Sequence, residues 1–261
     1  MAKYKPKTKD ELQELIKDNS INLGDIDVSK ITEMSYLFKD LGRVDFSGIE
    51  KWNVSNVTDM SSMFFCCYSF NQPLEKWDVS NVIIMSGMFC NNHSFNQPLE
   101  KWDVSNVTGM RSMFCGCYTF NQPLEKWDVS NVADMSGMFK ECYNFNQPLE
   151  KWNVSNVTDM SFMFDNCYNF NQPLEKWDVS KVIVMESMFE HTINFNQPLA
   201  KWAIKGKKEW KFNFMFNCAK SFNQDLSSWD LSKVNKDNIE YFLNGCEIDD
   251  KFYPKGIMVE F

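Results

Sequence analysis

The sequence predicts an α/β solenoid of about nine 25-residue units, each with a short parallel strand, a turn and a short helix, closed by N- and C-terminal caps. Residues 70–77 read FNQPLEKW, and the same eight letters return at 95–102, 120–127, 145–152 and 170–177. Self-similarity at a short fixed period is typical of units that stack to bury one shared core. The tryptophans that mark this period, expected to form the structural repeat core, are Trp52, Trp77, Trp102, Trp127, Trp152, Trp177, Trp202 and Trp229.

Residues 1–25 are expected to close the first end of the stack with a capping helix and its lead-in. Thr8 and Glu11 have the spacing of a capping box. Leu12, Leu15 and Ile16 fall on one face of the helix that would follow, over residues 7–18. Without such a cap, the first apolar layer would be exposed and prone to aggregate.

The repeats, expected over residues 26–247, combine two apolar periods in each unit. Trp152 and Val154 alternate with polar residues, which suits a short strand. Val157, Met160 and Met163 then recur every three residues, which predicts one face of a two-turn helix, and the phrase FNQP closes the unit as a turn. A strand, a helix and a turn in about 25 residues fall within the range of leucine-rich repeats.

The first unit is degenerate, with Ile26 where the tryptophan is expected, and the last two units carry two extra residues each. Residues 248–261 are expected to form the C-terminal cap. Its apolar residues are Ile248, Phe252, Tyr253, Ile257, Met258 and Phe261.

The composition argues against nucleic-acid and membrane partners. The net charge is −8, the wrong sign for a surface that follows phosphates, and the lysine-rich run at 205–208 is interpreted as a solvated loop. The N-terminus lacks the apolar stretch of a secretion signal, and no apolar run approaches the roughly 18 residues of a membrane helix. We therefore expect an intracellular, soluble protein.

The titratable residues predict no enzyme, no cofactor and no metal site, because they recur in columns that give each member nearly the same environment. Glutamate and lysine alternate before each tryptophan, as expected for a solvated stripe. The nine cysteines are interpreted mainly as packed core thiols, although a disulfide or a metal between neighbouring units is an open alternative. Counting from each tryptophan as position 0, Cys90 and Cys115 share position +13, and position +15 holds Cys67, Cys117, Cys142, Cys167 and, after its insertion, Cys246.

The amino-acid sequence of the repeated units resembles that of a known family. Residues 52–61 read WNVSNVTDMS, and residues 152–161 repeat these letters. Alternating with FNQPL, they resemble the repeat, about 26 residues long, of bacterial surface proteins from mycoplasmas and Listeria-type bacteria, a relative of leucine-rich repeats. The opening YKPKTKDELQELIKD looks most like the unsecreted members encoded by large DNA viruses, which would place the protein in a host cytoplasm. The resemblance implies a leucine-rich-repeat-like solenoid, and the bacterial members suggest adhesion or protein binding.

The positions that vary between units are the candidates for partner binding. At positions +6 and +7, two units carry apolar pairs where the others have Thr-Asp, Thr-Gly or Ala-Asp, and a tyrosine column at +16 could add an aromatic stripe. We expect a non-catalytic scaffold for protein–protein interaction; the alternative is a self-associating structural or adhesin-like surface protein. The candidate contact residues are Ile83, Ile84, Ile183, Val184, Tyr68, Tyr118, Tyr143 and Tyr168.

Overall fold

Successive repeats lie directly on one another in a computed structural model that describes residues 2–39, 41–202 and 204–257. The phenylalanines at position +12 show the register best: from Phe38 to Phe216, neighbouring rings are 5.4–5.8 Å apart and within 10° of parallel. The tryptophans named above are all buried, with at most 4% of their surface exposed. One apolar core therefore runs through the stack.

The predicted α/β fold class is wrong, and with it the leucine-rich-repeat-like unit of strand, turn and helix. The only α-helix in the described part of the chain is α1 (Lys9–Lys17), outside the repeats. Four 3₁₀ turns follow at Leu23–Asp25, Ile49–Lys51, Lys236–Asn238 and Asp250–Phe252. Neighbouring units form only isolated parallel bridges, so the described residues contain no sheet. From Glu33 to Lys211 those bridges join residues at position +7, within the stretch predicted to be helical. The other three join Tyr4 to Ile26, Lys205 to Asp230 and Asp230 to Lys255, and the segment around each tryptophan forms no strand.

Left-handed backbone explains why the predicted helix is absent. Positions +10 and +14 have positive φ in unit after unit, as at Ser62 (51°) and Cys66 (59°), or Phe162 (58°) and Asn166 (59°). An α-helix of L-residues cannot continue through such a residue. The apolar spacing of three residues instead serves a run of tight turns, each of which returns an apolar side chain to the core.

Backbone hydrogen bonds alternate between the turns and the neighbouring repeat. Met60, Ser62, Phe64 and Cys66 donate their amides to carbonyls of the next unit at 2.8–2.9 Å. Between them, Met63 and Phe65 donate to carbonyls three residues back, at 3.2 and 3.1 Å, and Ser61 donates to Asp59 Oδ1 at 2.8 Å. The amides in this stretch are thus satisfied without a helix or a sheet.

Three columns of polar side chains tie the units together inside the stack. Each indole Nε1–H donates to the carbonyl of the preceding unit at position −3, as Trp127 does to Leu99 at 3.0 Å. The residue at +15 donates to the preceding carbonyl at +12, as Cys142 Sγ does to Phe114 at 3.1 Å. Asparagine Oδ1 in each FNQP turn accepts from the next unit, as Asn71 does from the Asn96 amide at 3.0 Å.

The ends of the stack are closed by the flanking segments. Helix α1 is capped by Thr8, which accepts from the Glu11 amide, and it buries Leu12 and Ile16. Arg43, which sequence reasoning missed, is buried and donates to carbonyls at the end of α1, including Ile16 at 3.0 Å. At the other end, Ile248 is buried while Phe252, Tyr253 and Ile257 pack against the core; Met258 and Phe261 lie outside the described residues.

Candidate interaction surface

The two apolar pairs lie on the outside of the stack. Ile83, Ile84 and Ile183 expose 46%, 39% and 41% of their surface, and Val184 is half-buried. Their backbones hold the ordinary repeat register: the amides of Ile83 and Ile183 each donate to the threonine carbonyl at +6 of the preceding unit, both at 2.8 Å. Large apolar side chains here are therefore displayed by the fold and not buried in it.

The residues that other units carry at these positions make bonds that the apolar pairs give up. Threonine at +6 donates its hydroxyl to the carbonyl of the preceding unit, as Thr158 does to Ala133 at 3.2 Å. Aspartate at +7 accepts from the amide two residues on, as Asp159 does from Ser161 at 2.8 Å. Isoleucine and valine can do neither. The fold does not require them, which makes them candidates for contact with a partner.

The pairs are widely separated. They lie four repeats apart, which corresponds to about 20 Å at the spacing of hydrogen-bonded neighbouring chains. The residues at +6 also read the same in both directions from Ala133. In chain order they are Ile83, Thr108, Ala133, Thr158 and Ile183.

The tyrosine column forms a continuous ladder of rings that includes one histidine. Tyr68, His93, Tyr118, Tyr143 and Tyr168 follow one another with centroids 4.2–4.8 Å apart. Tyr68 and Tyr168, at the two ends, are the most exposed. Because the rings cover one another's faces, the ladder offers mainly edges and hydroxyl groups to a partner. Sequence reasoning left His93 out, although it occupies the same position +16.

Partial burial affects the electrostatics of Tyr143, inside the ladder. Burial raises the pKa of Tyr143 to about 12, and the nearby Glu141 carboxylate and the phenols of Tyr118 and Tyr168 act in the same direction. The phenol of Tyr143 is therefore uncharged at neutral pH. It can both accept and donate hydrogen bonds.

The glutamate–lysine stripe forms a separate column of exposed ion pairs between neighbouring units. Lys126 lies 3.3 Å from Glu100, and the equivalent pairs from Lys101–Glu75 to Lys201–Glu175 span 2.6–3.3 Å. Exposed pairs of this kind contribute little to stability. The stripe provides a control surface for experiments on the apolar pairs.

The lysine-rich run at 205–208 borders a larger basic cleft than the sequence suggested. Lys233 and Lys255 from later units join it around a cavity of about 570 Å³, with Asp230 as the acidic residue in the lining. Within the described part of the chain, no group of three or more His, Cys, Asp or Glu side chains is placed to hold a metal ion. The same residues include no helix with the length and apolar character needed to cross a membrane.

Comparison with known proteins gives one match. A family model described as "Mycoplasma protein of unknown function, DUF285" matches four overlapping segments, residues 10–106, 32–152, 85–202 and 144–251. Together the segments run through all the tryptophan-marked units. Comparisons with curated proteins and with solved structures gave no match.

Proposed function

The chain belongs to the family described as Mycoplasma protein of unknown function, DUF285, as its resemblance to mycoplasma repeats predicted, and we propose that it acts as a scaffold that binds another protein. The contact surface we propose is made by Ile83, Ile84, Ile183 and Val184, supported by the tyrosine ladder. The observation that carries this proposal is that apolar side chains are exposed at positions where the same fold makes hydrogen bonds with threonine and aspartate. Exposed apolar patches rimmed by polar residues mark interaction sites.

The spacing of the two pairs favours an extended partner. A partner that touches both must reach across about 20 Å of stack, and the Thr108, Ala133 and Thr158 column between them offers small side chains that would not obstruct it. Such a partner would be a protein segment or domain with two apolar contact points. We propose no catalysis, since the charged groups sit in repeated, mostly exposed pairs.

Self-association is the second candidate, and the symmetry of the +6 column favours it. A two-fold axis through Ala133 would place Ile83 of one copy opposite Ile183 of the other, in a self-complementary antiparallel dimer. Asp134 would then approach its own copy at the axis, so that salt should strengthen the dimer by screening this repulsion. A different protein as partner would not bring Asp134 next to its own copy, so its binding need not depend on salt in this way.

A quadruple variant tests the contact surface: Ile83→Thr, Ile84→Asp, Ile183→Thr and Val184→Asp. Because threonine and aspartate make repeat-to-repeat and turn hydrogen bonds at these positions in other units, we expect an unchanged melting temperature. Immobilised wild-type chain should retain a protein from host extract that the variant does not retain. The matched control exchanges charges within one stripe pair, Glu100→Lys with Lys126→Glu, and should bind like wild type.

Two results would contradict the proposal. A melting temperature lowered by many degrees in the quadruple variant would show that these side chains belong to the core. Full retention of the partner by a stable variant would place the contact surface elsewhere. Light scattering after size exclusion separates the two candidates, since only self-association gives a dimer that the variant abolishes.

We further propose that the protein works inside a cell, where thiols stay reduced. Cys90, Cys117, Cys142 and Cys167 are buried as free thiols, which fits a reducing compartment.

A further inference from the structure

Position +13 is a column in which neighbouring units carry chemically different, reactive side chains. It lies one residue before the left-handed turn at +14, at the edge of the core. From the second to the seventh unit its residues are Phe65, Cys90, Cys115, Lys140, Asp165 and Glu190. Two thiols thus stand beside a cation, and the proposed partner-binding surface uses none of these side chains.

The backbone holds Cys90 and Cys115 side by side. The amides on either side of Cys90 donate to the next unit, Phe89 to Met113 at 2.9 Å and Asn91 to Cys115 at 2.6 Å. Chains bonded in this way lie about 4.8 Å apart, and the preceding rings, Phe89 and Phe114, stack at 5.7 Å. That spacing falls within the Cα separation of disulfide-bonded cysteines, roughly 4.4–6.8 Å. The two thiols are close enough to interact.

Lys140 completes the cluster on the other side of Cys115. Its ammonium is held by the buried carboxylate of Asp165 at 3.0 Å and lies 4.9 Å from the ring centre of Phe162. These contacts fix a positive charge one unit away from Cys115. Cys115 is half-buried, and Cys90 is buried.

We propose that Cys115 is a thiol that reacts with hydrogen peroxide, and that Cys90 resolves the product as a disulfide between neighbouring repeats. The Cys115 thiolate attacks one peroxide oxygen, the O–O bond breaks, and the leaving hydroxide takes up a proton as water. The Cys90 thiol then attacks the Cys115 sulfenic acid, forms the S–S bond, and releases a second water. Two thiols are oxidised while one peroxide is reduced.

Electrostatics favour Cys115 as the attacking group. The hydrogen bond from Cys90 lowers the pKa of the Cys115 thiol, and Lys140 acts in the same direction, against burial and the carboxylates of Glu141 and Asp165. The same contact raises the pKa of the Cys90 thiol, as does its burial. The thiolate is the nucleophile in such reactions.

The cysteines at position +15 differ from Cys115 in their burial, their hydrogen bonds and the direction of their pKa shifts. Cys117, Cys142 and Cys167 are fully buried and donate to backbone carbonyls of the preceding unit. Burial raises the pKa of each of these thiols. We expect them to remain reduced at peroxide concentrations that oxidise Cys115.

The test is brief treatment of the reduced full-length chain with equimolar hydrogen peroxide, alkylation of the remaining thiols, and peptide mass spectrometry. The expected product has lost two hydrogen atoms and links the peptides of Cys90 and Cys115. In Cys90→Ser, dimedone should trap a sulfenic acid at Cys115. Cys115→Ser should form no rapid disulfide, and the control Cys142→Thr should behave like wild type.

A second readout separates reactivity from mere proximity. Lys140→Gln should slow alkylation of Cys115 at neutral pH by about threefold, because less of the thiol is then ionised. The effect should be smaller at high pH, where the thiol is ionised in both proteins. A disulfide between Cys66 and Cys90 would overturn the proposal. So would a Cys115 that reacts no faster than the half-buried Cys218, or no dimedone adduct in Cys90→Ser.

Discussion

Truncation of one tryptophan in the middle of the stack should be costly because its ring has two structural roles. Trp127 exposes only 3% of its surface, and its ring centre lies 6.2 Å from that of Phe114. Its Nε1–H donates to the Leu99 carbonyl at 3.0 Å, which also accepts from the Trp102 amide at 3.0 Å. Trp127→Ala removes the ring and one of these two hydrogen bonds.

The magnitude follows from these contacts. Removing a large buried aromatic costs roughly 3–5 kcal/mol of unfolding free energy. The Leu99 carbonyl keeps one partner, so the lost hydrogen bond accounts for only about 1 kcal/mol of that. Trp127→Phe keeps most of the ring and loses the donor, and it should cost about 1–2 kcal/mol.

Urea titration of the full chain measures these losses. The control is Lys126→Ala, one residue away, whose side chain is 74% exposed and lies 3.3 Å from Glu100. It should change stability by less than about 0.5 kcal/mol. Equal losses from Trp127→Ala and Lys126→Ala would refute the inward packing of the tryptophan column. A Trp127→Phe loss as large as that of Trp127→Ala would instead assign the effect to the hydrogen bond.

Three further outcomes are expected. Cys142→Thr should be as stable as wild type, because Thr192 makes the same hydrogen bond to the preceding carbonyl in another unit at 2.7 Å. Cys142→Val, which is isosteric with the threonine variant but lacks the donor, should be about 1 kcal/mol less stable than Cys142→Thr. Equal stability of these two variants in urea would contradict the donor role of position +15. In an ultraviolet pH titration, Tyr143 should ionise near pH 12, and Tyr143→Phe should remove that step. Because its folded pKa is raised, its contribution to stability is full below about pH 10 and lost as pH rises through about 12; ionisation of all tyrosines together near pH 10 would contradict this. Dialysis against EDTA should leave the melting temperature unchanged, and a fall of several degrees would reveal a structural metal.

The repeat register could be read from the sequence because a 25-residue copy fixes which side chains become neighbours, whatever the local backbone. Once Trp127 is known to repeat as Trp152, stacking places the two in one column. The secondary structure could not be read in the same way. Val157, Met160 and Met163 are spaced equally well for a helix face and for a series of turns that each return one side chain to the core.

The discriminating signal was the residue type between the apolar positions. Gly87 and Gly137 stand at +10, and Gly116 stands at +14, where a left-handed residue is needed. A Cβ at Gly116 would lie 2.5 Å from Asn91 Oδ1 in the unit before. Asn91, Asn166 and His191 at +14 are also of types that adopt positive φ more readily. Several units instead place serine, phenylalanine or cysteine at +10 or +14, and these residues, which seldom adopt positive φ, concealed the pattern.

The proposed contact surface could be predicted from the sequence, because its residues differ from those at the same positions in other units. The chemistry of positions +13 and +16 could be predicted only in part. His93 could have been assigned to the tyrosine ladder from its position alone. Cys115, Lys140 and Asp165 share position +13, but the structure was needed to show that Asp165 is buried and lies 3.0 Å from the Lys140 ammonium. The sequence period does not contain that information.

Hydroxyl-radical footprinting tests most directly whether the apolar pairs form the contact surface, because it reports the accessibility of individual side chains. The free chain at low concentration should be modified at Ile83, Ile84 and Ile183, which are exposed. In the complex, with a captured protein or with a second copy at high concentration, modification at these three residues should fall together. Unchanged modification in a complex that is fully formed would contradict the proposed function.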